Sequence, residues 1–87
     1  MTRSPKPPPR PPGDSPPTAT AVVVLGANLR RARQRADLTQ AELAQRAGLA
    51  QPAISLIEAG QANPTVQTLQ QLADALGCPL ADLLKAS

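Results

Sequence analysis

"LTQAELAQRAGLAQPAISLIEAG", residues 38–60, decides how this chain folds. Its Ala, Leu, Gln and Glu would all suit one continuous helix. Gly48 and Pro52 interrupt it four residues apart. A glycine supplies a turn conformation that a side chain resists. Proline is acceptable in the first turn of a helix, where amides lack internal partners, and is costly further in. The stretch therefore reads as two short helices meeting at a steep angle. Thr39 opens the first: in "TQAE", Glu42 is spaced to bond back to the Thr39 amide. Leu43, Ala44 and Ala47 form its apolar stripe, and Gly48 ends it. The second begins near Ala50 or Gln51, turns Ile54 and Ile57 inward, and closes at Gly60.

The pattern extends on both sides. Upstream, Val22, Leu25, Leu29, Ala32 and Ala36 recur at intervals of three and four, one face of an α-helix. Arg30, Arg31, Arg33 and Arg35 fall on its other faces, and Asp37 offers a left-handed stop. Downstream, Thr65 in "NPTVQT" caps a fourth helix. Its expected buried stripe is Val66, Leu69, Leu72, Ala73 and Leu76, ending at Gly77. After "CP", residues 80–84 read as a last short helix. Five helices joined by short loops predict an all-α domain over residues 21–87.

Residues 1–20 differ in texture. They hold eight of the eleven prolines in the chain. Proline lacks an amide donor and favours extended polyproline II, so this segment reads as a disordered, proline-rich N-terminal tail.

Composition excludes several functions. The 87 residues contain no His and a single Cys, Cys78. Zinc sites of the Cys/His type, an internal disulfide and Cys-His or Ser-His nucleophile pairs are thereby ruled out. Cys78, between Gly77 and Pro79, reads as a small buried hydrophobe. No acid–base constellation or phosphate-cradling glycine loop is visible, so no enzyme, catalytic residue, metal or cofactor is expected. The longest apolar run, "AVVVL" at residues 21–25, falls far short of the roughly 20 residues a membrane span needs. A cytoplasmic protein, associated with the nucleoid, is expected. The formal charge is +3, much of it from Arg3, Lys6 and Arg10 in the tail, which makes nucleic acid a partner worth considering. With no aromatic residue, the core must be built from Leu, Ile, Val and Ala.

Taken together, residues 22–85 resemble the phage-repressor and Cro-like transcriptional regulators, the Xre-type family. The resemblance rests on Leu38-Thr39-Gln40, Leu43-Ala44, Gly48, Ile54-Ser55, Glu58, Gly60 and the Asn63-Pro64-Thr65 restart. "LGANLRRARQRADLTQ", residues 25–40, looks like the first helix of that family. It implies a five-helix, lambda-repressor-like helix-turn-helix domain. In it, helix three, about residues 51–59, reads the major groove of double-stranded DNA. At matching positions, Gln40 is expected to contact a phosphate at the start of helix two, aided by the helix dipole. Gln51 is expected to be the foremost base reader, since a Gln amide pairs bidentately with adenine. Ser55 faces the same groove, while Leu56 and Ala53 offer apolar contact, for instance to a thymine methyl. Thr39, Pro52 and Gln61 complete the expected DNA-contacting set. Arg33 and Glu58 match a pair that ties helix one to helix three beneath the DNA surface.

Three departures from the family pattern stand out. Ala50 occupies a position where a capping Ser or Thr is usual, a loss of about 1 kcal/mol. Pro52 replaces a side chain that is often polar. Helix three carries no Lys or Arg and the loop "GQANPT" is uncharged, so modest affinity and a shallow salt dependence are expected. The leading reading is a repressor acting as a homodimer on a two-fold-related operator, and Gln51 with apolar neighbours as readers gives half-sites leaning towards A·T pairs. Leu80, Leu83 and Leu84 are candidates for the dimer surface. The alternative reading is an antitoxin-type interaction protein that binds a partner toxin and autoregulates its operon, with the tail as the partner-binding segment.

Overall fold

The computed structural model describes residues 17–85, with side chains described from residue 20 onward. These form five helices: α1 (Pro17–Arg35), α2 (Gln40–Ala47), α3 (Gln51–Glu58), α4 (Val66–Leu76) and α5 (Leu80–Leu84). The first begins at Pro17, inside the segment read as tail. Proline suits a first helical turn, and the Thr and Ala that follow it tolerate helix. The rest of the proline-rich segment, residues 1–16, lies outside the described residues. No helix among the described residues is long and apolar enough to cross a membrane.

Four of the five helices stop in the same way. Residues Asp37, Gly48, Gly60 and Gly77 all have positive φ, between 60° and 73°. In each case the amide of that residue and the next one bond back to the closing turn. After α2, for example, the Gly48 amide donates to Gln45 O and the Leu49 amide to Ala44 O. This arrangement satisfies carbonyls that have run out of intrahelical donors. After three of the four, the next residue turns into the core: Leu38 is buried, and Leu49 and Cys78 are half-buried against the same cluster, whereas Gln61 stays exposed.

Helix starts are capped where the sequence supplies a hydroxyl. The Thr39 hydroxyl accepts from the Glu42 amide at 3.0 Å, and the Glu42 carboxylate accepts from the Thr39 amide at 2.8 Å. Thr65 accepts from the Thr68 amide at 3.1 Å. Ala50, at the start of α3, makes no side-chain cap.

The core is one aliphatic cluster. Leu29, Leu43, Ile54, Leu72 and Leu83 are fully buried at its centre. Three expectations about burial need correction. Val66 is 70% exposed rather than part of the α4 stripe. As the first residue of α4 it lies outside the zone where α2 and α5 cover that helix. Ala36 is exposed, because α1 has already ended at Arg35. Leu83 belongs to the core, with no exposed surface, whereas its neighbour Leu84 is 53% exposed. Of the three leucines expected at a dimer surface, Leu84 and the half-buried Leu80 remain accessible. Cys78 is half-buried, and that burial pushes its thiol pKa up, with the nearby Asp82 carboxylate adding to the shift.

Candidate nucleic-acid interface

The face of α3 that meets solvent is set by the residues that do not. Ile54 is fully buried and Ile57 nearly so. At 100° per residue, the line diametrically opposite runs through Pro52, Leu56 and Ala59, with Gln51 and Ser55 along one flank. All five are exposed. Ala53, on the other flank, is half-buried. The helix thus presents a neutral ridge, apolar along its crest and polar on one shoulder.

A polar network locks this helix beneath its exposed face. Arg33 Nε donates to Glu58 Oε2 at 2.6 Å and Arg33 Nη2 to Glu58 Oε1 at 3.1 Å. Arg33 Nη1 donates to the carbonyl of Leu38 at 2.8 Å, and Gln40 Nε2 to Glu58 Oε1 at 3.1 Å. Four segments meet at one carboxylate and one guanidinium: the end of α1, the turn after it, the start of α2 and the end of α3. The side chains of Arg33 and Glu58 are only 13% and 5% exposed. The hydrogen bond that Arg33 donates to Glu58 outweighs the desolvation and raises the Arg33 pKa above its ordinary value. A two-point guanidinium–carboxylate contact of this kind fixes orientation as well as distance.

Gln40 is thus engaged with Glu58 through one amide proton. Its second proton, with the Gln40 and Ala41 backbone amides that have no intrahelical acceptor, remains at the start of α2. Thr39 is exposed beside it, its hydroxyl oxygen engaged in the cap. Gln61 is exposed on the loop after α3, and its backbone amide donates to Leu56 O at 2.9 Å. Gln40, Gln51, Pro52, Ser55 and Leu56 come from two adjoining helices, with Thr39 and Gln61 on the flanking turns.

Two residues that position this arrangement were not singled out by sequence reading. Gly26 is buried where α1 crosses the end of α3. A Cβ there would lie 2.4 Å from the Ile57 carbonyl oxygen and 2.8 Å from that of Glu58. An isolated glycine within a helical pattern was the available signal. Asn28 is buried, and its amide donates to Leu83 O at 2.9 Å and to Lys85 O at 2.7 Å. Its oxygen accepts from Arg31. This amide holds the end of α5 against α1. The signal was a polar, weakly helix-forming residue adjoining the apolar stripe, but its partners lie 55 and 57 residues away.

Comparison with known proteins adds four likenesses. Residues 29–83 match the family described as Helix-turn-helix. The HTH-type transcriptional regulator y4dJ of Sinorhizobium fredii is 43% identical over 61 residues, spanning 70% of this chain and 79% of that protein. The restriction-modification controller protein C.AhdI from Aeromonas hydrophila is similar in structure, with a TM-score of 0.72 and 31% identity. The match covers 74% of this chain and 97% of that one. The hypothetical transcription factor NHTF from Neisseria gives a TM-score of 0.75 at 29% identity over 86% of each chain.

Proposed function

The chain belongs to the Xre/Cro-like helix-turn-helix family of DNA-binding transcriptional regulators, a non-enzymatic family, and we propose that it is a sequence-specific repressor reading the major groove with α3. The observation that carries this reading is the exposed shoulder of Gln51 and Ser55 on a helix held by buried Ile54, Ile57 and the Arg33–Glu58–Gln40 network. A helix fixed at this many points meets DNA without a large entropy cost of ordering. Gln51 stands in the first turn of α3 and pairs with adenine N6 and N7. Ser55 lies one turn on. Gln40 and the free amides of α2 bind the backbone phosphate, flanked by Thr39 and Gln61.

The protein acts as a homodimer. Exposed Leu84 and half-buried Leu80 on α5 supply the contact, and the half-sites lie about one helical turn, ~34 Å, apart. Selection from random duplex DNA tests the whole reading. It is expected to return a two-fold-related site rich in A·T pairs, bound with a shallow dependence on salt because α3 and the following loop carry no Lys or Arg. A pool that yields no consensus, or one dominated by G·C pairs, overturns it.

A further inference from the structure

The crest of α3 is unusual in its chemistry. Pro52 and Leu56 stand four residues apart on the outward line, and Leu56 is 46% exposed. No cation stands anywhere on this helix. In the major groove, every base edge offers donors or acceptors, and these are distinct for each pair. The most prominent apolar feature there is the C5 methyl of thymine. A leucine side chain pressed against any other edge would strip water from a polar group and return no hydrogen bond. The base-edge feature that best matches exposed Leu56 on a groove-reading α3 is a pyrimidine methyl.

An isobutyl group cannot tell the O4 acceptor of thymine from the N4 donor of cytosine. It senses only the methyl. We propose that Leu56 makes DNA binding by this protein respond to C5 methylation of pyrimidines, so that methylating a cytosine at the Leu56 step strengthens binding. This rests on α3 being the groove-reading helix. It adds that the affinity is set in part by a chemical mark rather than by base identity alone.

The test uses the full-length protein, its selected duplex site and fixed salt. Each thymine is replaced in turn by deoxyuridine, which removes only the methyl. At one thymine per half-site, affinity is expected to fall about fourfold, the value of one buried methyl. A C·G pair at that step is then compared with its 5-methylcytosine counterpart, with the same guanine opposite. Methylation is expected to restore about fourfold. Both effects are expected to vanish in Leu56→Ala, whose fold is checked by its thermal transition.

Indifference of the wild type to every uracil substitution, or an equal response in Leu56→Ala, overturns the proposal while specific binding stands. Failure to select any site removes the proposal together with the reading beneath it.

Discussion

Glu58 accepts hydrogen bonds from Arg33 and Gln40 while almost hidden from water, so its polar partners are supplied by two other helices. Breaking such a pair from one side leaves a carboxylate with neither solvent nor counter-charge. Arg33→Met keeps most of the aliphatic stem and removes the guanidinium. It is expected to cost about 3 kcal/mol in urea denaturation, towards the low end for buried pairs because Gln40 still donates. Glu42 acts at the surface through a different mechanism. The Thr39 amide, and then the Thr39 hydroxyl, hold its carboxyl below the usual carboxylate range. A depressed folded pKa gives stability that is present above the unfolded value, about 4.3, and is lost as pH falls through the folded one. Thermal melts of wild type and Glu42→Gln between pH 7 and pH 3 are expected to differ at neutral pH. They should converge on the acid side of that value.

At the scale of the helices, the three polypeptide starts that precede α2, α3 and α4 share one backbone conformation. Thr39, Ala50 and Thr65 have φ of −78°, −78° and −73°, with ψ of 165°, 143° and 162°. Only the middle one lacks a hydroxyl. Ala50→Ser is expected to stabilise the protein by about 0.5–1 kcal/mol, read as a rise in the thermal midpoint. The lower figure is favoured because the Ala53 amide already donates to Ala50 O at 3.0 Å. The crossing of α1 over α3 runs the other way. Alanine is a better helix former than glycine by about 1 kcal/mol. Yet a methyl at position 26 would meet two backbone oxygens of α3, which cannot rotate away. Overpacking decides the sign, and Gly26→Ala is expected to destabilise by about 2 kcal/mol in the same denaturation assay.

For the whole molecule, a small core without aromatic residues buries limited surface, and a domain of this size is marginally stable alone. Association through α5 would add burial that the monomer lacks. Leu84→Asp is expected to leave the helical content intact, because the side chain is 53% exposed, and to yield a monomer by sedimentation. A wild type that sediments as a monomer at the concentrations where it binds DNA would remove the dimer from the reading.

The amino-acid sequence by itself determined the number of helices, their caps and most of their ends, although α1 starts at Pro17, inside the segment read as tail. A left-handed stop at Asp37 or Gly48 and a hydroxyl at Thr39 or Thr65 act on neighbours within about four residues, so they are legible without a fold. Much of the candidate site was legible for the same reason: Ile54 and Ile57 declare which way α3 turns, and its other side follows. Only the tertiary structure decided that Val66 is exposed, that Leu83 is core while Leu84 is surface, and that Gly26 and Asn28 hold α1 against α3 and α5. Helical periodicity gives the apolar face of each helix. Which part of that face is covered depends on where distant helices cross it, and no spacing along the chain encodes that.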